Sequence, residues 1–239
     1  MSYLVLARKY RPATFADVTG QDHITDLLKK AISAERLAHA YLFCGPRGIG
    51  KTSCARILAK SLNCQKGLTL TPCGECPSCQ EIAKGSGFDV IEIDGASNRG
   101  IDEIRTLREN VNFAPSYGKY KIYIVDEVHM LTAEAFNALL KTLEEPPEHA
   151  KFIFATTEPH KLPATILSRC QRYDFKRISL KVLVASLTEI CQKEKFTVTE
   201  DGLYAIAKAS QGSFRDALSI LDQISALSER QIEDSDVYS

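Results

Sequence analysis

Short apolar runs separated by stretches of helical periodicity organise most of this chain. The run Ala40-Tyr41-Leu42-Phe43-Cys44 stops at Gly45, and its length and flanks read as a buried strand. Residues 88–93 and the run Lys121-Ile122-Tyr123-Ile124-Val125 read the same way. Lys151-Phe152-Ile153-Phe154-Ala155 makes a fourth strand, ended by two threonines. Between these runs the apolar positions recur at helical spacing. Ile24, Leu27, Leu28 and Ala31 mark one face over residues 21–34, and Ala55, Leu58, Ala59 and Leu62 mark another over 51–62. An amphipathic helix is predicted over 101–111. A further helix, capped by Thr132 and stopped by Pro146-Pro147, carries Phe136, Leu139, Leu140 and Leu143.

Strands alternating with helices predict an α/β fold with a mainly parallel sheet. After Arg177 no further strand is expected. Helical patterns near 180–195, 200–210 and 213–228 predict a small all-α domain, which divides the chain into 1–177 and 178–239. Residues 7–12 are basic and end in Pro12, so they read as an extended arm. A stretch rich in cysteine, glycine and proline interrupts the helical pattern at 63–79. No internal repeat is visible, and residues 231–239 read as the start of a segment belonging to a longer protein.

Composition narrows the class. With 239 residues, 44% hydrophobic and 25% charged, the chain is an ordinary globular one, which excludes disordered and fibrous classes. Thirty basic residues balance thirty acidic ones, so attraction to nucleic acid must come from a local patch. Residues 1–6 are too short for a signal-peptide core, and no apolar run approaches the roughly 20 residues a membrane helix needs. The expected location is cytoplasmic, with no membrane partner. In a reducing compartment the eight cysteines are thiols or metal ligands rather than disulfides.

The strongest chemical signal is Gly45-Pro46-Arg47-Gly48-Ile49-Gly50-Lys51-Thr52, which fits G-x-x-x-x-G-K-[ST] between a buried strand and a helix. Glycines let the backbone wrap closely so that its N–H groups cradle phosphates, and the helix N-terminus adds its positive dipole end. Lys51 suits the β- and γ-phosphates, and Thr52 suits Mg²⁺. The strand before Asp126-Glu127 delivers both carboxylates to its C-terminal end, the ligand-binding edge of open α/β sheets. Asp126 suits direct or outer-sphere Mg²⁺ binding, and Glu127 suits polarising an attacking water. Asp126-Glu127-Val128-His129 also spells D-E-x-H, but the chain has room for one sheet domain, so His129 reads as structural.

Cys64, Cys73, Cys76 and Cys79 form C-x8-C-x2-C-x2-C, with Pro72, Gly74 and Pro77 supplying tight turns. Four thiolates close a tetrahedral Zn²⁺ shell with no position for water, a structural site. An iron–sulfur cluster is the alternative, but the ferredoxin pattern needs a further cysteine that does not follow Cys79. Cys44, Cys54, Cys170 and Cys191 read as small core residues.

Taken together, Ala7-Arg8-Lys9-Tyr10-Arg11-Pro12, the Gly45 loop, Asp126-Glu127-Val128-His129, the segment 136–147, Ser168-Arg169-Cys170 and the segment 212–218 resemble the AAA+ clamp-loader family. The specific match is its bacterial DNA polymerase III gamma/tau branch, over essentially the whole chain. The resemblance implies an ATPase that opens a ring-shaped sliding clamp and places it on primed DNA during replication. It implies other clamp-loader subunits as partners and a third, oligomerising domain beyond this chain, which alone is expected to be monomeric. Polymerase chemistry belongs to the assembly.

The resemblance also assigns roles. Arg215 sits in the first turn of a helix capped by Ser213, where a cation is disfavoured by up to about 1 kcal/mol, so it calls for an anion. The resemblance makes it the family's sensor-2 arginine, for which that anion is the γ-phosphate; a surface salt bridge to Asp216 or another acid is the plain alternative. Arg169 ends a helix-like run, where physics alone makes it a C-terminal cap; the resemblance makes it an arginine finger serving a neighbouring subunit. Thr157 matches the sensor-1 position, with Thr156 the near-equal alternative. Ala7, Tyr10, Arg11, Pro12 and Val18 would lie against the adenine and ribose, although a solvated basic tail is as good a reading of the arm. Bacterial members carry a zinc module between the loop helix and the second strand, which archaeal and eukaryotic small subunits lack. Two rivals stand: a stator-like subunit that holds nucleotide or DNA without turnover, and a zinc-dependent DNA binder, which lacks a recognition helix beside the cysteines.

Overall fold

In the computed structural model, which describes residues 3–98 and 100–227, the apolar runs lie side by side in one sheet. The strands are β1 (Ala40–Cys44), β2 (Val90–Asp94), β3 (Lys121–Asp126), β4 (Ala150–Thr156) and β5 (Gln171–Asp174), in the order β2-β3-β4-β1-β5. Every pair is parallel. All residues of β1 and β4 are buried, as expected of central strands covered on both faces. Alternate side chains feed two cores. Tyr41, Phe43, Ile122, Ile124 and Ile153 pack with α2 (Asp22–Ser33) and α3 (Lys51–Asn63). Leu42, Tyr123, Val125, Phe152 and Phe154 pack on the other side with α5 (Ile101–Asn110), α6 (Ala133–Glu144) and α7 (Ala164–Leu167).

A third cluster belongs to α8 (Leu180–Glu194), α9 (Glu200–Ala209) and α10 (Phe214–Leu227), where Leu183, Leu187, Ile206, Leu218 and Leu221 are buried. The molecule is thus a P-loop type parallel sheet flanked by helices, carrying a small all-α lid. Among the described residues no helix is long and apolar enough to cross a membrane.

Several expectations are corrected. A fifth strand, β5, follows the four foreseen; only Tyr173 of its four residues is buried. Residues 63–79 are not wholly irregular, because α4 (Pro77–Lys84) starts there, with Cys76 as N-cap and Pro77 in the first turn. Phe88 lies outside β2 and is exposed. Leu27 points to solvent, the inward face of α2 being Ile24, Thr25, Leu28 and Ile32.

The basic arm is not extended: α1 (Leu6–Lys9) forms one helical turn there. Nor is it a solvated tail. Leu6 joins the lid core, Lys9 pairs with Glu194 at 2.7 Å, and the Tyr10 hydroxyl donates to the same carboxylate. The expectation for residues 231–239, and the end of the helical domain beyond 227, fall outside the described residues.

Candidate nucleotide site and cysteine cluster

The crevice opens where β1 and β4 lie adjacent but their connections run to opposite sides, the switch point at which open sheets take ligands. Gly45 leaves β1 and donates its N–H to Thr156 O at 3.1 Å, tying the loop to the end of β4. A Cβ on Gly45 would meet Phe175 O at 2.6 Å, so the loop passes too close to the strand beyond for any side chain. Gly48, at φ +73°, is pressed against the lid: a Cβ there would meet Ser213 Oγ at 2.0 Å. Arg215 donates its backbone N–H to Gly48 O at 3.1 Å, so the first turn of α10 sits on the loop. Between loop and lid lies a cleft of about 210 Å³, lined by Pro46, Arg47 and Ile49 on one side and residues 209–213 with Asp216 on the other.

Lys51 opens α3 and is buried, with Nζ donating to Gly45 O at 2.8 Å and Pro46 O at 2.7 Å. Burial pushes its pKa down, and the nearby Glu127 and Asp126 carboxylates oppose that shift. Thr52 donates its hydroxyl to Asp126 Oδ2 at 2.6 Å. Asp126 Oδ1 accepts the Glu127 N–H at 2.9 Å. Glu127 leaves β3 in a left-handed conformation, φ 44°, which a non-glycine residue adopts only under constraint. Its Oε2 accepts from Thr157 twice, from the amide at 3.1 Å and the hydroxyl at 2.9 Å.

Lys51, Thr52, Asp126, Glu127 and Thr157 therefore meet at the C-terminal ends of three adjacent strands. Thr156 has other partners: its hydroxyl is buried against His129 Nδ1 at 3.0 Å and the Glu158 amide at 3.0 Å.

Val18 lies on the loop as well, with Cγ1 3.8 Å from where a Gly50 Cβ would stand. Arg11 reaches toward the same region. Burial first, then the charges of Arg56, Arg215 and Arg8, lower its pKa, while Glu92 opposes them. Ser213 caps α10 by accepting the Asp216 amide at 3.2 Å. The Arg215 guanidinium forms neither the salt bridge to Asp216 nor any other hydrogen bond or ion pair among the described residues. Arg169 stands apart from this group. Its guanidinium caps α7 at Thr165 O, 2.8 Å away, and pairs with Glu144 at 2.8 Å.

The four spaced cysteines converge: their Sγ atoms all lie within 4.8 Å of one another. Cys64 ends α3, Cys76 caps α4, and Cys79 lies in the first turn of α4. The Cys76 N–H points at Cys73 Sγ at 3.4 Å, and the Cys79 N–H at Cys76 Sγ at 3.5 Å. Amide contacts of this kind stabilise thiolate charge, and those from Cys76 and then Glu75 bring the Cys73 thiol down to about 6. Burial pushes Cys79 up to about 12. The remaining cysteines are Cys44, Cys54 and Cys191, which are buried, and Cys170, which packs against the core only partly covered.

Two contacts had no signal in the sequence. Gln21 is fully buried and clasps the backbone of Lys176, donating to its O at 2.7 Å and accepting from its N at 3.2 Å. His129, read from the sequence as structural, has its Nδ1 3.3 Å from Glu127 Oε2.

A family model described as "DNA polymerase III, delta subunit" matches residues 20–179, and one described as "DNA polymerase III clamp loader subunit, ATPase lid domain" matches residues 183–230. The chain is 58% identical over 223 residues to DNA polymerase III subunit tau of Bacillus subtilis (strain 168), covering 93% of this chain and 40% of that one. It is 52% identical over 232 residues to DNA polymerase III subunit tau of Escherichia coli (strain K12), covering 97% and 36%. The chain thus spans less than half the length of either relative. Among solved structures, the Thermotoga maritima RuvB Holliday junction branch migration motor superposes with a TM-score of 0.69 at 18% identity, covering 96% of this chain and 71% of that one. At that identity the likeness speaks for the fold alone.

Proposed function

The chain belongs to the family of DNA polymerase III clamp-loader subunits, and from that premise we propose that it is a gamma/tau-type ATPase motor. It binds ATP with Mg²⁺ and hydrolyses it, in a complex with other clamp-loader subunits, to place a sliding clamp on primed DNA. The reading fits a cytoplasmic protein of two domains, 1–177 and 178–239.

The observation that carries it is the convergence of Lys51, the Thr52–Asp126 pair at 2.6 Å and the Thr157–Glu127 pair at 2.9 Å beneath the lid. The loop from Gly45 through Pro46, Arg47, Gly48, Ile49 and Gly50 lends its amides to phosphate oxygens. Lys51 carries a cation on a buried stem toward the β- and γ-phosphates. Thr52 and Asp126 form a hydroxyl–carboxylate pair of the kind that holds Mg²⁺, and Mg²⁺ when bound neutralises the phosphate charge. Glu127 orients and polarises the attacking water, and Thr157 beside it bonds the terminal phosphate.

Arg215, unpaired at the positive end of α10, needs an anion, and the γ-phosphate meets that need across the cleft. Its backbone bond to Gly48 ties that contact to the angle of the lid. Arg169 serves the neighbouring subunit's nucleotide, a role that would replace its pairing with Glu144. Ala7, Tyr10, Arg11, Pro12 and Val18 line the adenine and ribose side; Val18 beside Gly50 supports this.

The cysteine cluster is a structural zinc site. A tetrahedron with Zn–S near 2.3 Å has edges of about 3.8 Å, and Cys73 and Cys79 already stand 4.0 Å apart. The module braces α3 against α4 and takes no part in hydrolysis. The test of the whole reading is steady-state ATPase activity of the complex reassembled with the full-length chain. Lys51→Ala and Glu127→Gln should each abolish turnover, the second while sparing nucleotide binding. Undiminished turnover in both would overturn the motor assignment.

A further inference from the structure

His129 lies in the short turn Val128–Met130 that leaves β3, two residues after Glu127. Its side chain is only 5% exposed, although the ring is polar at both ends. Nδ1 lies 3.0 Å from the Thr156 hydroxyl and 3.3 Å from Glu127 Oε2. Nε2 lies 3.3 Å from Glu158 Oε1. Glu158 is held in turn by Lys161 at 2.8 Å, with His160 at 3.7 Å. A polar line therefore runs from the Glu127 carboxylate through the buried imidazole to a surface carboxylate with its own cation.

The two oxygens of Glu127 are not equivalent. Both Thr157 bonds and the His129 approach converge on Oε2. Oε1 has no hydrogen bond or ion pair among the described residues. A ring nitrogen presenting its lone pair to a carboxylate oxygen would be repelled, so Nδ1 carries its proton, which lies between the Thr156 hydroxyl oxygen at 3.0 Å and Glu127 Oε2 at 3.3 Å. Two Thr157 bonds and the approaching Nδ1–H then hold one oxygen, and holding one oxygen of a planar carboxylate sets the direction of the other.

We propose that His129 is a positioning residue for hydrolysis: it anchors Glu127 Oε2 so that Oε1 is the oxygen presented to the attacking water. Thr156, by bonding the same Nδ1 and the Glu158 amide, holds the ring in plane. The inference rests on Glu127 being the water-polarising residue.

The experiment compares wild type, His129→Ala, His129→Asn, His129→Gln and Glu127→Gln in the reassembled complex with the full-length chain, measuring kcat and KM for ATP separately. An asparagine amide reaches roughly where Nδ1 stood, and a glutamine amide roughly where Nε2 stood. His129→Ala should lower kcat about 10- to 100-fold, the scale of losing a hydrogen bond to a charged group, with KM unchanged. His129→Asn should recover most of that loss, and His129→Gln should not.

If Glu127→Gln is inactive while His129→Ala retains full kcat, the positioning role is overturned and the reading of Glu127 stands. If Glu127→Gln turns over normally, the reading of Glu127 itself fails. Equal loss in the asparagine and glutamine variants, with KM raised in both, would mark a structural role and overturn the proposal. Rescue by glutamine alone would overturn it in favour of the Glu158 side.

Discussion

Gly48 sits directly against the helical lid, and its substitution has a calculable cost. At φ +73°, a Cβ would stand 2.0 Å from Ser213 Oγ and 3.2 Å from Arg215 Cβ. Gly48→Ala therefore meets two separate penalties. A left-handed conformation costs a residue with a Cβ roughly 1–2 kcal/mol. The 2.0 Å approach is well inside van der Waals contact, so Ser213 must turn away or α10 must retreat. Ser213 Oγ caps α10 at the Asp216 amide, and losing such a cap costs about 1 kcal/mol.

The sum is roughly 2–3 kcal/mol, which urea unfolding of this chain resolves. On the proposed role of Arg215 toward the γ-phosphate across the same contact, affinity for ATP should fall as well. Ser213→Ala removes the obstructing oxygen and the cap together, so in that background Gly48→Ala should cost only its backbone penalty. The two substitutions should fall short of additivity by about 1 kcal/mol. Additivity within about 0.3 kcal/mol, or a stable Gly48→Ala chain with unaltered ATP affinity, would refute the claim that loop and lid meet there.

Three further outcomes follow from equally local geometry. Asp89 is buried, and its carboxylate accepts the amides of Ser116, Tyr117 and Gly118 at 2.6, 2.6 and 2.7 Å. Asp89→Asn turns a donor toward these amides and should destabilise the chain by about 1–3 kcal/mol in urea; a change below about 0.5 kcal/mol would sink the account. Glu194 is held below the usual carboxylate range by its bonds from Lys9 and then Tyr10. Its folded pKa is depressed, so the stability it contributes is complete above the unfolded value of about 4.3 and lost as pH falls through the folded one. The gap between wild type and Glu194→Gln should close on acidification, and a widening gap would contradict the docking of the arm. The zinc proposal predicts that a chelator exposes four additional titratable thiols and lowers the unfolding midpoint, and that Cys79→Ser no longer retains one zinc per chain. A purified chain without metal and indifferent to chelator would dispose of the zinc assignment.

What could be read from the chain was what neighbours in sequence decide. The loop from Gly45 to Thr52 is a strand, a turn and a helix in succession, and the ending of β3 in Asp126-Glu127 needs no distant partner to be visible. Failures came where a distant element decides. Ile24, Thr25, Leu28 and Ile32 centre the buried stripe of α2, and at 100° per residue Leu27 lies roughly 115° away from that centre. Counting Leu27 as inward weighed its hydrophobicity above its angle. β5 was invisible because an edge strand of four residues exposes Gln171, Arg172 and Asp174; only Tyr173 turns in, edge-on to Phe43 at 5.7 Å. α4 did carry a local signal, Pro77 after a capping residue, but the run of cysteines around it suggested irregular backbone.

The site divides along the same line, and the division bears on how such a motor is wired. Lys51, Thr52, Asp126 and Glu127, to which the proposal gives the chemistry, were legible in the sequence. The contacts around them come from distant segments: Thr157 on Oε2 of Glu127, Gln21 on the backbone of Lys176, and Ser213 with Arg215 on Gly48. Gln21 and Gly48 matter together, because the first clasps the segment leading out of β5 and the second touches the lid that this segment carries. Ile178 closes the circuit by donating its amide to Gly212 O at 3.1 Å, one residue before the cap of α10. A lid held at both its entry and its first helical turn moves with the loop rather than over it. A ligand that shifts the backbone of Gly48 therefore has a direct lever on the lid, through a hydrogen bond of 3.1 Å with no room for a side chain between.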